Sequence, residues 1–72
     1  MLEFVIQVIR ESTDLEDEIT EDMMLVDDLG LSSIDVMILL GDLEKALGKK
    51  IPAAAIRDVE TVGDLCRAID AL

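Results

Sequence analysis

Asp27-Asp28-Leu29-Gly30-Leu31-Ser32-Ser33-Ile34-Asp35 is the segment in which an acidic loop becomes a helix. Gly30 supplies a flexible backbone just before that helix begins. A serine at such a junction has two possible roles. Its oxygen can cap the helix by accepting a hydrogen bond from a free backbone N–H. Alternatively, its hydroxyl can carry a phosphate ester, which the positive end of the helix favours. The residues alone leave both roles open for Ser32 and Ser33, and they favour capping.

The residues after these serines predict a helix over residues 33–47. From Ile34 to Leu40 it is apolar on nearly every side except at Asp35, which is typical of a helix that is buried all round. A chain of 72 residues offers little room for that, so part of this surface is expected either to pack centrally or to meet a partner. Gly48 is expected to end the helix. In the second half, Leu43, Ala46 and Leu47 should face inward and Asp42, Glu44 and Lys45 outward.

Upstream, apolar residues at helical spacing (Leu2, Val5, Ile6 and Ile9) predict a first helix over about residues 2–12. An acidic connection over residues 13–32 follows, and it is too long to be wholly structureless in a compact domain. Thr20 is expected to cap a short turn over residues 21–24. Six apolar side chains are expected to hold the connection to the core: Ile19, Met23, Met24, Leu25, Val26 and Leu29.

Downstream, Pro52 is expected at the first position of a short third helix over residues 53–57. Thr61 and Asp64 predict a capping box at the start of the last helix. That helix carries an apolar stripe of Val62, Leu65, Cys66, Ile69 and Leu72. Because Cys66 lies in the stripe, it is interpreted as a small core residue and not as a reactive thiol. The fold class predicted is all-α: one domain over residues 1–72, a small four-helix up-and-down bundle with a long first loop.

The composition restricts the function. Seventeen acidic residues face six basic ones, giving a net charge of −11. This charge disfavours nucleic acid and anionic membranes as partners and favours basic protein patches, although acids also simply keep a surface soluble. The chain has no histidine and one cysteine, so the usual general base and an internal disulfide are both absent. No signal peptide and no bilayer-length apolar run are visible, which predicts a cytoplasmic protein without membrane insertion.

Residues 28–35 resemble the Asp-Leu-Gly-x-Asp-Ser-Leu-Asp signature of acyl carrier proteins. The resemblance extends over the chain through Ile19-Thr20, Leu43-Glu44, Ile51-Pro52, Thr61-Val62 and Ile69. It implies that Ser33 carries 4′-phosphopantetheine, transferred from coenzyme A by a magnesium-dependent transferase. The thiol of that arm would hold acyl groups as thioesters, and the carrier would present them to synthase enzymes without catalysing a reaction itself.

Two departures from the family pattern affect the site. Ser32 stands where many members have Asp, so it is expected to cap the helix. Ser33 aligns with the serine that the family modifies and is expected to carry the group. The following helix is also less acidic than usual in the family. Candidate partner contacts are the acids Asp27, Asp28, Asp35, Asp42 and Glu44. For the apolar residues Val36, Met37 and Leu40 three roles stay open: meeting a partner, sheltering an acyl chain, or packing in the core.

Three other functions fit the sequence less well than a carrier does. An acidic helical interaction module without a cofactor would not need Ser33. The acids between Asp14 and Asp22 could bind divalent cations loosely, but EF-hand spacing is missing and no metal site is predicted. An enzyme is disfavoured because no catalytic motif is present. Within the carrier class, a free-standing, monomeric carrier of fatty acid synthesis is expected, with polyketide or other specialised pathways open. Its expected partners are the phosphopantetheinyl transferase and acyl-handling synthase enzymes with basic patches.

Overall fold

The computed structural model describes residues 1–72 and confirms the all-helical class. Helix α1 spans Leu2–Thr13, α2 spans Ser33–Leu47, a 3₁₀ helix spans Ala53–Ile56, and α3 spans Val62–Asp70. The bounds of α2 are those predicted, with Gly48 ending it in the left-handed region at φ 72°. The predicted short third helix is a 3₁₀ helix that starts one residue after Pro52. Pro52 therefore precedes the first helical position instead of occupying it.

The core is aliphatic and formed by all three α-helices. Helix α1 packs against both α2 and α3, and the 3₁₀ helix packs against α3. The side chains least exposed to solvent are Val5, Ile9, Leu39, Leu43, Val62 and Leu65. Cys66 is buried in the same cluster, as predicted. No helix of this chain has the length and apolar character that crossing a bilayer requires.

The connection over residues 14–32 is held in place by backbone hydrogen bonds to the segment that begins α3. The Leu25 N–H donates to the Glu60 carbonyl at 2.8 Å, and the Val62 and Gly63 N–H groups donate to Met23 and Glu21 at 3.0 and 2.8 Å. Ile19 and Leu25 are buried, as predicted, and so is Leu31. The connection is therefore structured through pairing with residues 35 to 42 positions later in the chain.

Four expectations for side chains in the helices and the connection are wrong. Val26 is 58% exposed because the turn after Leu25 directs it outward. The Thr20 hydroxyl does not cap a turn, because it donates to the Asp22 carboxylate. The cap in this region is Asp28, whose carboxylate accepts from the Met24 N–H at 2.7 Å beside the turn over residues 25–29. Ala46 is exposed on α2. Leu72 is 39% exposed because α3 ends at Asp70, before the predicted stripe does.

Candidate functional site

The start of α2 is fixed by a reciprocal pair of hydrogen bonds. The Ser32 hydroxyl accepts from the Asp35 N–H at 3.1 Å, and the Asp35 carboxylate accepts from the Ser32 N–H at 2.9 Å. This capping box confirms the role predicted for Ser32 and adds Asp35 as its partner. The Ser32 N–H, with a smaller contribution from the Ser32 side chain, lowers the pKa of Asp35. The N-terminal turn is therefore stabilised by Ser32 and Asp35, and Ser33 is not needed for it.

Ser33 is the first residue of α2 and is exposed. Its hydroxyl takes part in neither of the capping hydrogen bonds. Gly30 adopts φ 72° two residues before the cap, a conformation that favours glycine, and it turns the chain so that Leu31 is buried while Ser32 and Ser33 face solvent. The result is a free hydroxyl at the positive end of a 15-residue helix.

A cavity of about 470 Å³ opens beside this hydroxyl. Nine of its eleven lining residues are hydrophobic, and the two others are Ser33 and Glu60. The hydrophobic lining residues are Met24, Leu25, Val26, Val36, Leu39, Leu40, Ile56, Val59 and Leu65. Because Ser33, Val26 and Glu60 are exposed, the cavity reaches the surface at the Ser33 end.

The cavity exists because α2 and α3 do not pack directly on each other. No Cα atom of α2 lies within 8 Å of one in α3 or in the 3₁₀ helix. Helix α1 supports both α-helices from one side, while the Leu25–Glu60 hydrogen bond holds the connection across the gap. Apart from Ser33 and Glu60, the side chains that border this space are hydrophobic and non-aromatic, and their packing shifts more easily than that of interlocked aromatic rings. The gap is therefore lined mainly by hydrophobic side chains that can shift position.

The apolar residues predicted as contacts divide between two surfaces. Val36 and Leu40 line the cavity, whereas Met37 is 70% exposed and lies outside the lining. Sequence reasoning missed two exposed neighbours of Met37, which are Ile34 and Ile38. Ile34, Met37 and Ile38 occupy positions i, i+3 and i+4, so the sequence does place them on one helix face. The run from Ile34 to Leu40 is apolar on nearly every side, however, and it does not show which face is exposed to solvent.

Four of the five predicted acidic contacts also form hydrogen bonds within the chain. Asp28 accepts from Met24 and Asp35 from Ser32, as described above. Asp42 accepts from the Ser12 hydroxyl and so joins α2 to α1, and Glu44 accepts from the Ile51 N–H at 2.7 Å. Asp27 is exposed and forms no hydrogen bond of this kind. The four hydrogen-bonded acids therefore serve the fold, and the role of all five as partner contacts stays a prediction.

Neither the cysteine nor the acidic connection forms a reactive site. Burial raises the pKa of the Cys66 thiol, which disfavours the thiolate that nucleophilic chemistry needs. No group of three or more His, Cys, Asp or Glu side chains is arranged to hold a metal ion. The exposed hydroxyl beside the apolar cavity is that of Ser33.

Comparisons with known proteins agree with this geometry. The family model described as "Phosphopantetheine attachment site" matches residues 3–69. An acyl carrier protein of Borreliella burgdorferi is 44% identical over 63 residues, covering 86% of this chain and 79% of that protein. One from Thermotoga maritima is 38% identical over 55 residues, covering 76% and 68%. The structure of a candidate acyl carrier protein from Mycobacterium tuberculosis superposes with a TM-score of 0.89 at 27% identity, covering 97% of this chain and 95% of that one.

Proposed function

The chain belongs to the acyl carrier protein family, and on that premise we propose that Ser33 is the residue that carries 4′-phosphopantetheine. The family model and the relatives make the protein a carrier and not a catalyst, with phosphopantetheine as its covalent cofactor. When bound, that group supplies the thiol on which acyl groups are held. The observation that supports Ser33 is its free, exposed hydroxyl beside the apolar cavity.

Ser32 is the competing attachment residue, and the capping box disfavours it. Its oxygen already accepts from the Asp35 N–H, so esterification there would weaken the bond that starts α2. The Ser33 oxygen has no such role, and its modification would leave the capping box intact. The cofactor also fits better at Ser33, because that residue lines the cavity and Ser32 does not.

Intact-protein mass spectrometry tests the attachment residue. Wild type, Ser32→Ala and Ser33→Ala are incubated with coenzyme A, magnesium and a broad-specificity phosphopantetheinyl transferase. We expect one added phosphopantetheine on wild type and Ser32→Ala, and none on Ser33→Ala. Circular dichroism of Ser33→Ala serves as the folding control. Loss of the modification only in Ser32→Ala would move the site by one residue. If an unmodified wild type gained no group, the carrier function itself would fail.

We further propose that the cargo is an unsubstituted aliphatic acyl group of the kind handled in fatty acid synthesis. The cavity offers nine hydrophobic residues, and Glu60 is its only polar side chain apart from Ser33. A keto or hydroxyl group buried there would lose water without gaining a matched set of hydrogen bonds. This lining favours saturated fatty acyl chains over the more heavily oxygenated intermediates of polyketide pathways.

Thermal stability of loaded carriers tests the cargo. A saturated acyl chain on the arm should raise the melting temperature above that of the unloaded holo form, and a hydroxylated chain of equal length should raise it less. Leu40→Asn, which alters the cavity lining, should remove the gain. The matched variant Ile38→Asn lies outside the lining and should keep it. Equal gains for both chains, or equal behaviour of the two variants, would contradict the proposal.

Members of this family interact with synthase and transferase enzymes. We propose how such enzymes approach this carrier. Exposed Asp27 and Asp28, six and five residues before Ser33 in the chain, support a partner with a basic patch near the attachment residue. On this proposal the carrier acts as a cytoplasmic monomer. Partner affinity should fall as salt rises from low to physiological strength, where screening acts over about 8 Å. A flat salt profile would contradict charge-guided docking. The family match does not favour an interaction module without a cofactor.

A further inference from the structure

One carboxylate stands at the mouth of the apolar cavity beside Ser33. Of the eleven lining residues, Glu60 is the only one that carries a charge. Glu60 is exposed, as are Ser33 and Val26 at the same end of the cavity, so water reaches its side chain. At the enclosed end, the lining residues Leu39 and Leu65 are 0% and 1% exposed. The cavity therefore has one negative charge, and that charge lies at the end open to solvent.

The backbone of Glu60 is fixed on both sides. Its carbonyl accepts from the Leu25 N–H at 2.8 Å, and its own N–H donates to the Asp64 carboxylate at 3.1 Å. The first bond joins Glu60 to the connection over residues 14–32, and the second joins it to the capping box of α3. Because the backbone is held in this way, the side chain can move only through its own torsions. Glu60 is therefore kept at the cavity mouth.

The carboxylate of Glu60 has no partner within the chain. The neighbouring Asp64 carboxylate accepts from the Glu60 N–H, the Thr61 N–H and Arg67. Arg67 and Asp64 also form the one ion pair of the structure. The side chain of Glu60 takes part in neither the cap nor the ion pair. An exposed acid elsewhere on the surface would only favour solubility, but this one is available to a group that occupies the cavity.

The position of this charge matters for any acyl group that itself ends in a charge. Burying an unpaired charge among hydrophobic side chains is costly, so a charged chain end must stay at the mouth, where water reaches it. There it meets the carboxylate of Glu60, which repels a second carboxylate and attracts an ammonium group. Because water and salt screen an exposed pair, the effect is modest. The apolar lining disfavours both kinds of charged chain, whereas Glu60 distinguishes them by sign.

We infer that Glu60 sets the charge preference of the cavity for its cargo. Unsubstituted chains are held best, chains that end in an ammonium group are held less well, and chains that end in a carboxylate are excluded. The inference rests on the proposed function, since it concerns cargo held on the arm at Ser33. Its consequence is that a cargo ending in a carboxylate stays in solvent, where an enzyme reaches it without drawing it out of the cavity.

Melting temperatures of loaded carriers test the inference. A broad-specificity transferase loads hexanoyl, 6-aminohexanoyl and adipoyl arms, which have equal length and end in a methyl, an ammonium and a carboxylate group. In wild type we expect the 6-aminohexanoyl form to melt about 3 °C above the adipoyl form, and Glu60→Lys should reverse this order. Asp58→Lys is the matched control, because Asp58 is an exposed acid outside the lining and its exchange changes the net charge equally. It should keep the wild-type order.

The possible results separate this inference from the proposed function. Equal melting temperatures of the two charged forms in wild type would overturn the role of Glu60, and so would a reversed order in both lysine variants, which would assign the preference to net charge. In these cases the hexanoyl form would still melt above the unloaded holo form. A hexanoyl form without that gain would overturn both the cavity as the cargo site and this inference. Failure of the carrier function would instead appear as a wild type that gains no arm.

Discussion

Two helices in this chain begin with the same capping box, but only one of them exposes its first residue to solvent. In α2 the pair is Ser32 and Asp35, with hydrogen bonds of 3.1 and 2.9 Å. In α3 it is Thr61 and Asp64, with bonds of 3.0 and 3.1 Å. The next residue is Ser33 in α2, which is exposed, and Val62 in α3, which is 0% exposed.

The surroundings of the two boxes explain this difference. The connection covers the start of α3, where the Val62 and Gly63 N–H groups donate to Met23 and Glu21. No backbone carbonyl is paired with the N–H groups of Ser33 and Ile34 at the start of α2. A capping box therefore fixes where a helix begins. Whether that beginning can present a modified hydroxyl depends on what covers the first turn.

The largest effect is expected from making the start of α2 resemble the start of α3. Ser33→Val should abolish phosphopantetheine addition completely, because the acceptor hydroxyl is removed. Since the site is exposed and the capping box remains, the free energy of unfolding should change by no more than about 0.5 kcal/mol. Mass spectrometry and urea denaturation measure the two effects. A modified Ser33→Val protein would place the arm elsewhere.

The reverse exchange, Val62→Ser, should cost stability and create no site. It removes a fully buried side chain and buries a hydroxyl, so the free energy of unfolding should fall by about 3 kcal/mol. We expect no second phosphopantetheine, because the new hydroxyl lies under the connection. Val62→Ala controls for the loss of apolar contact alone. A doubly modified protein would show that covering the first turn does not decide which serine is used.

Sequence patterns reveal these two helix beginnings to different degrees. Both N-caps and the bounds of α2 follow from local rules, because capping depends on residues only three positions apart. The burial of Val62 is also predicted by its apolar stripe. The sequence does not predict which side of α2 is exposed. The exposed residues Ile34, Met37 and Ile38 are as apolar as the buried Leu39 and Leu43.

The connection that covers the start of α3 could not be predicted from local sequence patterns, for a different reason. It depends on backbone pairing between residues 21–25 and 60–63, and backbone groups carry no sequence signal of their own. The lack of such a signal also explains the wrong expectations for Thr20 and Val26, which lie directly before and after the paired residues 21–25. The cavity, too, follows from how α1 packs against both α2 and α3 while these two helices do not contact each other, and not from any single motif.

Removing each cap in turn should show that the two capping boxes contribute similarly to the free energy of unfolding. Ser32→Ala and Thr61→Ala should each lower the free energy of unfolding by about 1 kcal/mol. The Ser32→Ala protein should still accept phosphopantetheine at Ser33. Ser32→Asp and Thr61→Ser retain a capping oxygen and should recover most of the loss. If Ser32→Ala cost nothing, the box at α2 would be dispensable and esterification of Ser32 would become easier to accept.

The smallest expected effect is a difference in how the two boxes respond to acid. Asp64 accepts from the Glu60 N–H, from Arg67 and from the Thr61 N–H, which together lower its pKa to about 2. The pKa of Asp35 is lowered through Ser32 alone. A carboxylate whose folded pKa lies below its unfolded value of 3.8 stabilises the fold above that value, and the contribution disappears as pH falls through the folded pKa.

The stability difference between wild type and Asp64→Asn should therefore be largest above pH 4 and shrink as pH falls from about 4 towards about 2. Asp35→Asn should show the same sign with a smaller change. Urea denaturation of the three proteins at each pH measures both, and comparing variants removes the shared titration of the other acids. Because the Arg67–Asp64 ion pair is solvent-exposed, added salt should reduce the Asp64 difference. A difference that stayed constant with pH would mean that the shape of Asp64, and not its charge, supports the covered helix start.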